Sequence, residues 1–240
     1  MTSSPIQAAP TLPDAVLWDM DGTLVASEPY WMEAERELVE SYGLTWTHED
    51  ALAMVGMPLL TSGNIMAAHG VPLPGQEIAD RLVAVVAERL AREVPWQPGA
   101  LRLLTELHEA GVPIALVTMS YRVLAEKIVH AVPGGFETMV CGEDVTHGKP
   151  HPEPYLTAAR HLGVDPSRCV AVEDSLPGIS SALDSGARTI AVEVMIPIPE
   201  VPGLTRVSSL EDLSLEDLAR VASGEVLDRL PSSRSVKPRA

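Results

Sequence analysis

Two carboxylates, Asp19 and Asp21, come at the end of an apolar run near the start of the chain, and Gly22 follows them directly. The run AVLWDM (15–20) is typical of a strand, and ligands of open α/β sheets bind where the strands end. A carboxylate can act as a nucleophile, and a second acid beside it can carry a proton. Gly22 would let the backbone turn and direct N–H groups at an anion. Asp19 and Asp21 are therefore candidates for the attacking and proton-transferring groups of one site.

Three other segments deliver polar side chains in the same way. Thr118 and Ser120 end the run PIALVTMS, and Glu173 and Asp174 end the run RCVAVED. Lys149 lies in HGKPHPEP, shortly after a fourth apolar run. Carboxylates that meet at one edge repel each other unless a cation neutralises them, and oxygen ligands with open positions suit Mg²⁺. The set indicates phosphoryl transfer with Mg²⁺ as the cofactor, in which Thr118 donates its hydroxyl and Lys149 neutralises developing charge.

A zinc site at His147 and His151 was the alternative metal centre, because these residues are four apart. Histidines at this spacing share one face of a helix, but Pro150 and Pro152 oppose a helix here. The spacing therefore does not place both rings on one face, and zinc is disfavoured.

The segments that carry these residues have the pattern of a doubly wound α/β domain. Continuous apolar runs typical of buried parallel strands occur at 15–20, 113–118, 138–142, 168–174 and 189–194. Amphipathic helical patterns separate them at 99–111, 121–132, 152–163 and 177–186. This alternation predicts a Rossmann-like parallel sheet with helices on both faces.

Residues from about Glu28 to Pro95 break the alternation, since they show helical patterns and no convincing strand. We expect an all-helical cap over 27–97, inserted in a discontinuous core formed by 1–26 and 98–225. The ends 1–12 and 226–240 are rich in small and polar residues and are expected to be flexible.

The composition limits the partners. The net charge of −16 argues against nucleic acid and anionic membranes, which need clustered cations. The two cysteines, Cys141 and Cys169, lie in apolar runs and are expected to be reduced core residues. With no secretory signal and no membrane-spanning run in the sequence, we expect a cytoplasmic protein, monomeric by default, that acts on a small molecule.

Four motifs resemble, in order, those of the haloacid-dehalogenase-like hydrolase superfamily: DMDGTLV, LVTMS, GKPHPEPY and VEDSLPGISSALDSG. They extend from Asp19 to Gly186, and the match is closest to the branch that contains β-phosphoglucomutase and small sugar- or polyol-phosphate phosphatases. The resemblance implies a Rossmann-like core with a helical cap after the first motif. It also implies a Mg²⁺-dependent phosphatase that forms an aspartyl-phosphate on Asp19.

The resemblance further assigns a role to each candidate residue. The metal ligands would be Asp19, Asp174, the backbone carbonyl of Asp21, and Glu173 either directly or through water. Asp19 would be the nucleophile and Asp21 the general acid and base. Groups that would hold the phosphate or substrate are Gly22, Thr118, the Met119 N–H, Ser120 and Lys149.

One position departs from β-phosphoglucomutase. Where that enzyme has a cap histidine, twelve residues after the nucleophile, this chain has Trp31. A phosphatase that uses water is therefore favoured over a mutase, and Trp31 is a candidate to face the substrate. Two alternatives remain open: a β-phosphoglucomutase-like phosphotransferase and a non-catalytic protein that binds a phosphorylated metabolite. Asp21 disfavours carbon–halogen chemistry, which needs no acid for an alkoxide.

Overall fold

Strands from distant parts of the sequence form one parallel sheet. The computed structural model describes residues 11–55 and 57–230, and within them six strands lie in the order β3-β2-β1-β4-β5-β6. Their bounds are β1 Ala15–Trp18, β2 Ile114–Val117, β3 Thr138–Val140, β4 Cys169–Glu173, β5 Arg188–Val192 and β6 Leu204–Val207. The predicted parallel sheet is confirmed, and β1 lies at its centre between β2 and β4.

The apolar runs are continuous because both faces of the sheet are covered. In β1, Val16 and Trp18 belong to one buried cluster, whereas Ala15 and Leu17 belong to another. Alternate residues of a strand point to opposite faces, so each cluster lies on its own side of the sheet. Cys141 and Cys169 are free and buried, as the sequence predicts.

The helices cover these two faces and form the insertion. Over the described residues their bounds are α1 Glu28–Glu40, α2 His48–Met54, α3 Leu59–His69, α4 Gly75–Arg92, α5 Ala100–Glu109, α6 Arg122–Ala131, α7 Glu153–Leu162, α8 Leu176–Asp184 and α9 Leu215–Ala222. The four helices predicted between the strands are confirmed as α5 to α8. Within the described ranges, no helix has the length and apolar character required to cross a membrane.

The predicted all-helical insertion is also present. Helices α1 to α4 follow β1, and the described residues between 28 and 92 contain no strand. Two extended segments connect the insertion to the sheet, where Val25 pairs with Trp96 in an antiparallel bridge. The Ala26 N–H donates to the Pro95 carbonyl at 2.8 Å. The limits of core and cap at 27 and 97 stay a prediction, with this paired connection directly beside them.

The structure differs from the sequence-based expectation at its C-terminal side. Strand β6 was not predicted because its sequence, LTRV, contains an arginine and a threonine. Arg206 is nevertheless buried, and its guanidinium pairs with the Asp228 carboxylate at 2.7 Å. Residues 226–230, expected within a flexible end, therefore lie beside β6. The expected flexible segments 1–10 and 231–240 lie outside the described residues.

Candidate active site

The loop after β1 places the first two acids. The Asp19 N–H donates to the Val172 carbonyl of β4 at 3.0 Å, so this residue still follows the strand. Gly22 then has a φ of +85°, a backbone conformation that side chains with a Cβ adopt at a cost. A Cβ on Gly22 would lie 2.1 Å from Asp174 Oδ2. The glycine is therefore needed both for the turn and for the close approach of Asp174.

Lys149 joins three strand ends through its ammonium group. Its Nζ donates to Asp19 Oδ1 at 2.6 Å, to Glu173 Oε1 at 2.6 Å and to the Val117 carbonyl at 2.8 Å. An ammonium has three donors, so these contacts use them all. Burial by itself would lower the pKa of Lys149, but the negative charges of Asp19 and Glu173 outweigh it and raise that pKa. Lys149 is therefore a fixed cation beside Asp19.

The Glu173 carboxylate is fully buried and accepts hydrogen bonds at both oxygens. Oε1 accepts from Lys149 and from the Tyr155 hydroxyl at 2.8 Å. Oε2 accepts from the Ser175 hydroxyl at 3.1 Å and from the Asp174 N–H at 3.2 Å. In the described contacts Glu173 orients Lys149. That Glu173 also binds a metal stays a prediction. Sequence reasoning did not select Tyr155, although it is the last residue of GKPHPEPY.

Three carboxylates form a compact acidic cluster. One oxygen from each of Asp19, Glu173 and Asp174 lies within 4.8 Å of the others. Burial and then the charge of Glu173 raise the pKa of Asp19 well above its ordinary value, and the same two causes raise the pKa of Asp174 to about 7. Lys149 supplies only one positive charge to this set. The remaining negative charge and the all-oxygen donors fit a small hard cation such as Mg²⁺.

Thr23 adds a contact that holds the third of these carboxylates. Its hydroxyl donates to Asp174 Oδ1 at 3.1 Å, leaving Oδ2 on the side of Gly22. The Gln97 side-chain amide donates to the Gly22 carbonyl at 3.0 Å. Gln97 lies on the segment that leaves the insertion, so this connection supports the loop after β1. Neither Thr23 nor Gln97 was singled out in the sequence.

Asp21 is held separately, by two hydroxyl groups. Ser27 Oγ donates to Asp21 Oδ1 at 2.5 Å, and Ser120 Oγ donates to Asp21 Oδ2 at 2.5 Å. Ser120 was expected to meet the substrate, whereas here it contacts Asp21. Ser27 precedes α1 and was not predicted as a site residue; its place at the entry to the insertion was the only signal. The pair fixes the orientation of the Asp21 carboxylate.

The remaining candidates lie on the loop after β2 and on α1. Thr118 is buried, and its Oγ1 accepts a hydrogen bond from the Ser120 N–H at 3.0 Å, which leaves the Thr118 hydroxyl proton free to donate. The Met119 sulfur accepts from the Lys149 N–H at 3.4 Å, which ties the two loops together. Trp31 is half-buried on α1 against the main apolar cluster. Its contact with a substrate stays a prediction.

The sequence and the fold of this chain are both similar to those of known proteins. Residues 13–186 match the family described as haloacid dehalogenase-like hydrolase. The chain is 30% identical over 217 residues to hexitol phosphatase B of Escherichia coli K12, covering 85% of this chain and 96% of that protein. It has the same identity to the bifunctional riboflavin kinase/FMN phosphatase of Arabidopsis thaliana, but spans only 55% of that protein's length and 85% of its own. The crystal structure of CbbY from Rhodobacter sphaeroides with phosphate has a TM-score of 0.72 at 28% identity, over 83% of this chain and 95% of that one.

Proposed function

Because this chain belongs to the haloacid dehalogenase-like hydrolases and is a phosphatase of that family, we propose that it hydrolyses a small sugar- or polyol-phosphate with Mg²⁺ as its cofactor. The observation that carries the mechanism is the contact of Lys149 Nζ with both Asp19 and Glu173 at 2.6 Å. A buried carboxylate with a fixed cation beside it is suited to attack an anionic phosphate. The substrate class is supported by the similarity to hexitol phosphatase B. The cytoplasmic location and the monomeric state stay predictions of the sequence.

In the first step a free oxygen of Asp19 attacks phosphorus, and the bond from phosphorus to the ester oxygen breaks. The electron pair stays with the leaving oxygen, which takes a proton from Asp21. Lys149 and the Thr118 hydroxyl neutralise charge on the transferring group, together with the Met119 N–H. The product alcohol leaves, and the phosphoryl group is held on Asp19.

In the second step water attacks the same phosphorus atom and gives up a proton to Asp21. The bond to Asp19 breaks, which releases inorganic phosphate and restores the carboxylate. Asp19, Asp174 and the Asp21 carbonyl would hold Mg²⁺, with Glu173 direct or through water, and the ion when bound supplies positive charge for the phosphate oxygens. Each Asp21 oxygen accepts a single serine hydrogen bond and keeps a further position, so it can also carry the proton.

Asp19→Asn tests the nucleophile. The amide keeps the size of the side chain but cannot attack phosphorus, so hydrolysis of p-nitrophenyl phosphate should fall by at least about 10⁴-fold. The steady-state rate with Mg²⁺ is the measurement, with circular dichroism to establish the fold. Asp184→Asn, on the exposed surface of α8, is the control and should keep its activity. Hydrolysis by Asp19→Asn at the wild-type rate would contradict the mechanism.

Asp21→Asn tests the proton carrier. A general acid contributes about 10²–10⁴-fold when the leaving group needs a proton, and much less when it does not. The variant should therefore lose more activity on an alkyl phosphate than on p-nitrophenyl phosphate in the first step, as measured by single-turnover release of the alcohol. An equal loss on both esters would contradict the proposed acid role of Asp21, but it would not contradict the role of Asp19 as the nucleophile.

A β-phosphoglucomutase-like transfer is the alternative, supported by the structural likeness to a putative β-phosphoglucomutase from Thermotoga maritima, with a TM-score of 0.69 at 25% identity. Trp31 in place of the cap histidine opposes it. A coupled assay for glucose 6-phosphate formed from β-glucose 1-phosphate separates the two activities.

A non-catalytic binding protein is disfavoured because Asp19, Asp21 and Lys149 are all present. A screen of phosphorylated metabolites, ranked by kcat/KM, would identify the substrate.

A further inference from the structure

A second group of possible metal ligands lies on the loop between β3 and α7 and on the first residue of that helix, outside the acidic cluster. One donor atom from each of His147, His151 and Glu153 lies within 4.8 Å of the others. The two imidazole rings have centroids 4.7 Å apart with a tilt of 35°. His147 Nδ1 is 2.9 Å from Glu153 Oε2, and His151 Nδ1 is 4.0 Å from the same oxygen.

The lack of a helix at this point does not keep the two histidines apart. The two prolines do prevent a helix, but the loop turns back on itself, with the His151 N–H donating to the Gly148 carbonyl at 3.0 Å. The turn brings the two imidazole rings close together without a helix. The carboxylate then comes from Glu153, the first residue of α7.

The backbone around these ligands is well anchored. Glu153 accepts hydrogen bonds from the Thr146 N–H at 2.8 Å and the His147 N–H at 3.0 Å. The Ser181 hydroxyl of α8 donates to the His151 carbonyl at 2.6 Å. The three ligands therefore need only side-chain movement to converge.

The required movement is small and unobstructed. Bonds of about 2.0–2.1 Å to zinc place two ligands of one ion at most about 4 Å apart. The three donor atoms already lie within 4.8 Å of one another. The histidine side chains are 62% and 52% exposed, so they can rotate without disturbing packing. Imidazole nitrogen favours ions such as Zn²⁺ over Mg²⁺, whose preferred ligands are oxygen atoms.

We propose that His147, His151 and Glu153 form a surface site for a divalent ion of the Zn²⁺ class, separate from the acidic cluster. Three protein ligands leave a further position for water. Lys149 lies on the same loop, between the two histidines, so the bound ion clamps the segment that carries the ammonium group. The proposal does not depend on the proposed phosphatase mechanism, since it concerns only metal uptake by the loop.

The experiment measures Zn²⁺ uptake by the full chain in an excess of Mg²⁺, which keeps oxygen sites occupied. Equilibrium dialysis of metal-free protein gives the stoichiometry, and imidazole resonances in NMR spectra report which histidines respond. Wild-type protein should bind Zn²⁺ and shift the resonances of His147 and His151. His147→Gln and His151→Gln should each lose this uptake, whereas His130→Gln, at an exposed position on α6, should keep it.

The result that overturns the proposal is unchanged uptake by either histidine variant, or no uptake by the wild type. Circular dichroism establishes that each variant is folded. Glu153→Gln serves as a further variant, since it removes the charged ligand and should weaken uptake at least tenfold. Zn²⁺ bound only at the acidic cluster would persist in all of these variants and would count against the loop site.

Discussion

At the scale of single residues, the site depends on a lysine that reaches three strand ends at once. Lys149 Nζ contacts the Asp19 and Glu173 carboxylates and the Val117 carbonyl. Burying an ammonium is unfavourable unless it is paired and fully hydrogen-bonded, and here both conditions are met. Two predicted residues, Asp19 and Glu173, are therefore each in direct contact with a third, Lys149. Their types and order in the sequence were enough to select them, but not to show that Glu173 contacts the lysine.

Gly22→Ala tests the close approach between the loop and Asp174. The new Cβ would lie 2.1 Å from Asp174 Oδ2, so the carboxylate must move, and both activity and the apparent affinity for Mg²⁺ should fall at least about tenfold. The positive φ adds about 1–2 kcal/mol of backbone strain. The measurement is a Mg²⁺ titration of the hydrolysis rate.

Gly163→Ala is the matched control for backbone strain. Gly163 has a φ of +70°, and a Cβ added there would have no neighbouring atom within 4 Å. This substitution should reduce thermal stability by a similar amount through strain and leave the Mg²⁺ titration unchanged. Equal effects of the two variants on activity would show that strain, and not the Asp174 contact, is responsible.

At the scale of secondary-structure elements, the first helix of the insertion contains two notable acidic contacts, one at its start and one in its middle. Ser27, which precedes α1, holds the Asp21 carboxylate, so the start of this helix reaches the candidate site. Farther along the same helix Glu35 is 4% exposed and accepts a bond from the Trp46 indole at 3.4 Å. Burial raises the pKa of Glu35 to about 7. The helix therefore carries a buried acid that becomes costly when it ionises.

Glu35→Gln tests this cost through the pH dependence of stability. Since the folded pKa lies above the ordinary value of 4.5, the native state binds more protons, and stability falls as pH rises from about 4.5 to about 7. At about pH 8 the ionised carboxylate costs up to about 3 kcal/mol, whereas at about pH 4 it costs little.

The variant should therefore gain stability relative to wild type at about pH 8 and not at about pH 4. Urea unfolding at both pH values gives the difference, which separates Glu35 from other titrating groups present in both proteins. Glu49→Gln, at an exposed position in the same insertion, should keep the wild-type pH dependence. A gain of the same size at both pH values would attribute the effect to packing instead of charge.

At the scale of the whole molecule, the chain is strongly acidic, and part of its negative charge is clustered at the candidate site. The net charge is −16, and one oxygen from each of three site carboxylates lies within 4.8 Å of the others. Lys149 contacts two of these carboxylates, Asp19 and Glu173. Like charges in a buried cluster oppose folding unless a cation neutralises them. The site is thus expected to lower stability in the absence of metal, and Mg²⁺ should offset that loss by binding the native state.

Asp174→Asn tests this balance between stability and function. Removing one buried negative charge should raise the free energy of unfolding of the metal-free protein by about 1–3 kcal/mol and abolish Mg²⁺-dependent hydrolysis. Mg²⁺ should then raise the melting temperature of wild type but not that of the variant. Asp184→Asn, an exposed change of the same charge, is the control. A less stable Asp174→Asn protein would indicate that the carboxylate is needed for packing.

The amino-acid sequence alone predicts β1 to β5 and the polar groups that follow them. Its continuous apolar runs require burial on both faces, which predicts the parallel strands, and the polar residues that end those runs identify Asp19, Thr118 and Asp174. These signals are local, because each depends on the hydrophobic period and on the residue types within one segment. Strand β6 was missed because the partners that make buried Arg206 tolerable are distant in sequence.

Which of these groups meet depends on how the chain packs. Sheet order and register place Asp19 near Glu173, and Lys149 reaches both carboxylates from the loop before α7. The entry to the insertion brings Ser27 to Asp21. A turn that no helical period describes brings His147 near His151. The contacts of Lys149 and Ser27 join residues from separate segments, so their geometry depends on packing and on satisfying buried polar groups, which local patterns do not contain.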